Sequence, residues 1–503
     1  MRLHILLFLF FTGVQYTVSQ GVNDISQLLS SELNGSSRYT SMGGAFGALG
    51  GDLTAISYNP ASSSVFLHSE IGSSFNFKNN STEGRYFGTT RKGENKSINL
   101  DHFGAVIVLN NNIPESSWTK ISFGINLHKI INFDQNASLY GSNSNGIDLF
   151  FLNYADGLQF DNLPLYDEET ISEVYRSLGD KNGYGAQQAF LGYQSFIINP
   201  TSFENDNTTY YSNVDYDKVI HKLNITKSGY HRKTTFNFSA LYENKLHLGI
   251  NINTHSLKFK NDNFLNEGNH KTSSNTYNIK FNNQLTSRGN GYSAQLGAIF
   301  KLKNIRFGAT YDSPQWLNIY DETEQSLSAY HYDQGSFINE KIDPKVLNVY
   351  DEYEFKIPSK TTLSFAYVFG SIGIISIDYG HQNAKNTILS RANGNQYLDE
   401  LNSKIGSIFA PINTLKIGSE YRINDISLRA GFLNRNNPIK NNMSSDQAYT
   451  FGIGLDFGGS SLNLALVQFR QNKEFELFSR GLTDVYNLSD QITQVSMTYN
   501  IKL

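Results

Sequence analysis

Apolar side chains recur at every second residue in one stretch of this chain after another, and that period belongs to strands with one apolar and one polar face. Between Trp118 and Ile131, Ile121, Phe123, Ile125 and Leu127 fall on one face, and Ser122, Gly124, Asn126 and His128 on the other. Leu246, Leu248, Ile250 and Ile252 alternate in the same way with His247, Gly249, Asn251 and Asn253. Such segments lie near 67–78, 99–110, 119–131, 232–243, 245–260, 290–302, 304–312, 359–369, 371–380, 412–422, 425–433, 447–458, 461–470 and 491–503. The count is even, as a bacterial transmembrane barrel requires when both chain ends lie on the same side.

The connections narrow the choice between a barrel and a soluble sandwich or propeller, which can also alternate. Short turns join pairs of segments at Glu243-Asn244, Lys303-Asn304, Gly370-Ser371, Asn424-Asp425 and Gly458-Gly459, as in hairpins. Long polar stretches, 261–289, 312–359 and 382–411, separate the pairs. Short turns on one side and long loops on the other are the pattern of outer-membrane barrels. The expected fold is therefore all-β: a 14-stranded antiparallel transmembrane β-barrel.

A mean hydropathy of −0.38 does not oppose this, because only alternate residues of a barrel strand face lipid. Beyond residue 20 no run approaches the roughly 20 apolar residues that a spanning helix needs. Charged residues are 17% of the chain, the net charge is −4, and no Lys/Arg cluster stands out, which argues against nucleic acid as a partner. With no cysteine, disulfide scaffolds and Cys-ligated metals are excluded.

At the N-terminus Arg2 precedes the apolar run Leu3 to Phe11, and Thr17 and Ser19 suit the small-residue positions of a cleavage site. Residues 1–19 read as a signal peptide, with the mature chain starting at Gln20. One insertion, about 134–232, is too long for a plain loop. It contains helical stripes, Ile171, Val174, Tyr175 and Leu178, ending at Gly179, and then Ala186, Ala189, Phe190, Tyr193 and Ile197. These helices either cap the barrel by packing on one another or form an outer apolar groove.

A Gly-rich segment that alternation does not explain lies ahead of the first strand. It contains Arg38, Tyr39, Met42, Gly43, Gly44, Phe46, Gly47, Gly50, Gly51 and Asp52, then Ser57, Tyr58, Asn59, Pro60 and Ala61. It resembles the N-terminal hatch of the outer-membrane long-chain fatty-acid and aromatic-hydrocarbon transporters, in their Bacteroidetes-type form. Weaker likenesses follow at Tyr311-Asp312-Ser313-Pro314, at Leu428 to Phe432 with Asn437-Pro438, and at Phe451 to Leu455. The resemblance implies domains at 20–66 (hatch) and 67–503 (barrel), with the hatch folded in the lumen. It also implies facilitated passage of hydrophobic molecules across the cell outer membrane and a lateral exit through a distorted strand.

The hatch and gating residues so implied are Gly43, Gly44, Phe46, Gly47, Gly50, Gly51, Asp52, Asn59, Pro60 and Ala61. Glycines suit a backbone that turns tightly and approaches a wall, and Pro60 stiffens the exit toward the first strand. The expected partners are a hydrophobic ligand such as a long-chain fatty acid and outer-membrane lipid. A third is the barrel-assembly machinery, whose recognition signal the alternating end Val495 to Leu503 resembles, with Leu where an aromatic is usual. A monomer with no cofactor, no metal and no catalytic residues is expected, since no Gly-x-Ser-x-Gly elbow, His-Glu-x-x-His or Cys/His cluster occurs. Two other readings remain at this point: transport of haem or another bulky hydrophobic compound, and a surface binding or adhesion barrel without transport.

Overall fold

A computed structural model of the chain describes residues 22–113, 115–333, 335–392, 394, 396–440 and 442–503; the expected signal peptide and its cleavage point at Gln20 lie outside them. Fourteen antiparallel strands close into a barrel. They are β1 (Glu70–Tyr86), β2 (Thr89–Asn110), β3 (Trp118–Asn132, continued by Gln135–Asn143), β4 (Val219–Tyr242), β5 (Leu246–Gly268) and β6 (Thr276–Leu302). After these come β7 (Ile305–Asp312, continued by Gln315–Asp333), β8 (Tyr353–Ile357, continued by Lys360–Phe369), β9 (Gly373–Asn383) and β10 (Pro411–Ile423). The last four are β11 (Ile426–Asn436), β12 (Ser445–Asp456), β13 (Ser460–Glu476) and β14 (Val485–Lys502). Each strand pairs with its sequence neighbour, and β1 closes the circle on β14 from Glu70↔Lys502 to Arg85↔Asn487.

The outward positions form an apolar belt. Ile121, Phe123, Ile125, Leu127, Phe236, Phe238, Leu248, Ile250, Leu296, Phe307, Phe365, Ile377, Phe451 and Met497 are all exposed, which suits lipid and not water. On β6 the belt runs from Tyr292 to Phe300, close to the roughly 9–11 residues of a bilayer crossing. Trp118 stacks edge-on against Tyr242 at one margin and Tyr292 lies on Trp316 at the other, in the manner of interfacial aromatic girdles.

The strands continue well past this belt. β6 has 27 residues and β4 has 24, so half of each stands beyond the bilayer. The segments expected from alternation cover mainly the membrane part, because the extensions carry polar residues outward and give no apolar period. For the same reason the expected insertion at 134–232 shrinks to 144–218. The first hairpin also runs out to a two-residue turn at Phe87-Gly88, where the alternation ends at residue 78. The turns expected at 243–244, 303–304, 370–371, 424–425 and 458–459 all join strands, and Asn424 has φ 52°.

The insertion holds α3 (Asp148–Ala155), α4 (Ile171–Asn182) and α5 (Tyr184–Gln194). Thr170 caps α4 in a reciprocal box with Glu173. The helix runs past Gly179 and stops at Gly183, whose φ is 79°. Tyr175, Leu178, Ala189 and Phe190 are buried with Phe150, Phe151, Leu223, Phe281 and Leu488. The two stripes are thus consumed in a core that closes the outer mouth of the barrel.

Candidate functional site: the layered lumen

Residues 22–66 lie inside the barrel. They include α1 (Val22–Leu28), α2 (Ser37–Ser41) and two 3₁₀ turns, Thr54–Ser57 and Pro60–Val65. The buried Asp52 carboxylate organises the fold of this segment. It accepts from Ser36 Oγ (2.7 Å), Thr54 N (2.8 Å) and Ala55 N (3.3 Å). Burial pushes its pKa up, opposed by the charge of Arg38 and by those donors. Arg38 donates to Gly51 O (2.8 Å) and to Glu420 on the wall (3.0 Å), and Glu420 also receives Arg429 (2.7 Å) and Arg422 (2.6 Å).

The residues expected to form the hatch come together around two points. At the first, Asn59 Nδ2 donates to Gly47 O (2.6 Å) and to the wall carbonyl of Ala298 (3.3 Å), while Asn59 Oδ1 accepts from Ala61 N (3.0 Å). Gly47 N donates to the Asp378 carboxylate (3.0 Å), and Pro60 O accepts from Asn237 (2.8 Å). At the second, Phe46 is fully buried between Tyr39 (ring centroids 5.6 Å apart) and the Arg38 guanidinium (5.4 Å). Gly51 N donates to Ser62 O (3.2 Å), beside Gly50, which packs against Val65. Gly43 has φ 62°, and a Cβ there would stand 2.8 Å from the Phe432 backbone; Gly44 sits under the Tyr39 ring.

Sequence reasoning missed the wall's half of this contact. At six places where the segment presses on the barrel the inward residue is glycine: Gly249 and Gly297 face Asn59 and Pro60, Gly308 faces Gly47, Gly418 and Gly431 face Met42 and Gly43, and Gly452 faces Ser41. Any side chain at these positions would displace segment backbone. The only sequence signal was a glycine on the polar face of an apolar-alternating strand, which alone cannot be told from loosened packing.

Beyond the segment two further layers follow. A polar cavity is lined by Tyr58, Asp312, Lys360, Thr362, Asp378, Gly380, Thr414 and Lys416 together with Gly47. Lys416 Nζ reaches Tyr39 Oη (3.1 Å) and lies 4.8 Å from the Tyr58 ring centroid, and burial pushes the Tyr58 hydroxyl up to about 12. Next to it the inward face turns apolar. Ile25, Leu28 and Leu29 of the α1 end pack with Leu398, Leu401 and Ile405 of α6 (Gln396–Ile408), and with Ile131, Phe133, Leu257, Phe259, Leu317 and Phe355 from the wall.

The wall is not continuous beside this layer. The β2–β3 ladder runs from Asn110↔Lys120 to His102↔His128 and ends. Beyond it β2 pairs with β1, and β3 pairs with β4 through a bulge between Lys129 and Ile131. β3 then breaks at Phe133 and Asp134.

No family model and no curated protein matches the sequence. Solved structures do match along nearly its whole length. The Pseudomonas putida toluene transporter TodX superposes with a TM-score of 0.50 at 14% identity, covering 94% of this chain and 99% of that one. A Pseudomonas aeruginosa FadL homologue gives 0.54 at 10% identity, again covering 94% and 99%. The chain has the fold of these transporter barrels. At this identity the likeness is one of architecture, in accord with the fold that the resemblance implied.

Proposed function

We propose that this barrel lets small hydrophobic molecules cross the outer membrane, with residues 20–66 as a hatch, residues 67–503 as the barrel, and the ten residues named above as hatch and gating positions. The observation that carries the reading is the break in the β2–β3 ladder beside an apolar lumenal layer. Ile131 and Phe133 belong to that layer; Ile131 lies on the strand whose edge β2 leaves unpaired, and Phe133 at the break that follows it. A ligand resting there has an apolar surface on the inside, the lipid-facing belt on the outside, and no need to cross the polar hatch. The hatch blocks the straight path: its Asn, Ser and Gly contacts fill the lumen from wall to wall.

Long-chain fatty acid is the favoured cargo. The amines of Lys360 and Lys416 line the polar cavity beside Asp312 and Asp378 and can donate to a carboxylate there, and the apolar layer accepts an alkyl chain. Uptake of a labelled long-chain fatty acid by a host lacking its own channel tests this. Restored uptake supports the transport reading. A barrel that reaches the surface, shows heat-modifiable migration and restores nothing removes fatty acid and favours another cargo or a binding role.

A further inference from the structure

The free edge of β3 is not left bare. Past the last ladder pair, the edge groups that β2 no longer meets are taken up by two residues of the hatch. Glu32 N donates to Ile130 O (3.3 Å), Asn132 N donates to Glu32 Oε2 (3.3 Å), and Asn34 Nδ2 donates to Lys129 O (3.3 Å) and Glu32 Oε2 (3.0 Å). These two residues act as a short substitute strand along the residues that follow the ladder's end. The other Glu32 oxygen accepts from Lys78 Nζ on β1 at 2.6 Å, in an ion pair whose side chains are 12% and 5% exposed. Glu32 therefore ties β3, β1 and the hatch at one point beside the gap.

A strand edge without partners costs free energy for each buried amide and carbonyl left unsatisfied. The wall gives up those partners at β2, and the hatch restores them through a side chain and one short stretch of backbone. Restoring them this way differs from a ladder in one respect: it can be undone without unzipping a strand pair. Lys129 Nζ, which donates to Asn99 Oδ1 on β2 at 2.7 Å, also bridges this opening, and it would span the gap with flexible methylenes when the hatch withdraws.

We propose that Glu32 is the latch of the lateral opening, a positioning residue that holds the β3 edge closed through Asn132 and holds the hatch in place through Lys78. The proposal rests on the transport reading. Release of Glu32 frees the Ile130–Asn132 edge and joins the apolar layer to the gap.

The test compares Glu32→Ala, Glu32→Gln and Lys78→Ala in the full barrel by amide hydrogen exchange and by fatty-acid uptake. Glu32→Ala should speed exchange at Asn132 about tenfold, with the Ile121–Leu127 ladder unchanged. Uptake should rise several-fold, whereas a residue that merely supports the fold would lower it. Glu32→Gln keeps an acceptor for Asn132 and loses the ion pair, so its exchange should lie nearer to wild type than its uptake does. Unchanged exchange at Asn132, or uptake at or below wild type, overturns the latch. Absence of uptake in the wild type is the failure of the transport reading instead, and exchange at Asn132 then decides the latch by itself.

Discussion

Followed along β5, the inward face of the wall changes character between His255 and Leu257. On the hatch side it reads His247, Gly249, Asn251, Asn253 and His255; on the outer side it reads Leu257 and Phe259. β4 makes the same change, from Ser239, Asn237, Thr235 and Lys233 to Ile225 and Leu223, and β6 makes it from Gln295 and Ser293 to Leu285 and Phe281. The two regions are held by different physics. In the hatch layer directional hydrogen bonds and backbone pressed on glycine surround a small apolar cluster of Leu33, Tyr39, Met42, Phe46 and Leu49. In the apolar layer the contacts are non-directional and easily exchanged for those of a ligand. One region fixes a plug in a single register; the other offers a surface that a hydrophobic molecule can share.

Changes that attack the polar layer's anchors should break this contrast most strongly. Glu420→Ala strands Arg38, Arg429 and Arg422 around a buried site, and loss of one member of such a cluster costs about 3–5 kcal/mol. The expected outcome is proteolytic exposure of residues 33–66 from an intact barrel. Phe259→Ala in the apolar layer should cost about 3 kcal/mol if the site cannot collapse. It should weaken ligand retention while hatch protection stays as in wild type.

Gly249→Leu pushes a side chain into Pro60, an overpacking effect of about 1–3 kcal/mol. Leakage of small polar solutes through single channels would report it. A leu-for-gly exchange on an outward position away from the hatch should leave conductance alone.

The smallest effect concerns Asp52. Its pKa is higher in the folded state than in the unfolded chain, so the folded state holds the proton more tightly. Stability then falls as pH rises from the unfolded pKa through the folded one. Asp52→Asn should flatten that slope in the hatch's protease resistance and leave the barrel's own pH dependence unchanged.

The contrast also explains what the sequence made legible. Outward positions must be apolar wherever lipid lies, so Ile121 to Leu127 and Leu246 to Ile252 announce their strands, and the count of fourteen follows. Left-handed residues such as Asn424 mark the turns because few side chains tolerate that backbone. The inward face carries no such rule. Asn251 and Leu257 share one face of one strand, and only the three-dimensional level of the hatch tells them apart. The break at Phe133 and Asp134 is invisible because the apolar alternation has already ended by Ile131, and the continuation Gln135–Asn143 points Asn136, Ser138, Tyr140 and Ser142 outward, with no apolar period to resume. The α6 helix escapes the sequence reading: Leu398, Leu401 and Ile405 repeat at helical spacing, but within the stretch 382–411, whose polarity reads as loop. Likewise Glu420 and Arg429 are ordinary inward polar positions until Arg38 is brought to them.

The central claim, a hatch that governs hydrophobic passage, is tested most directly by fatty-acid uptake through the Asn59→Ala/Pro60→Ala double variant in cells lacking another channel. Asn59 holds Gly47 and the wall carbonyl of Ala298, and Pro60 stands against Gly249 and Gly297. An altered uptake rate from a barrel that assembles in wild-type amount and keeps its heat-modifiable migration is the predicted result. Unaltered uptake from such a barrel would contradict the account.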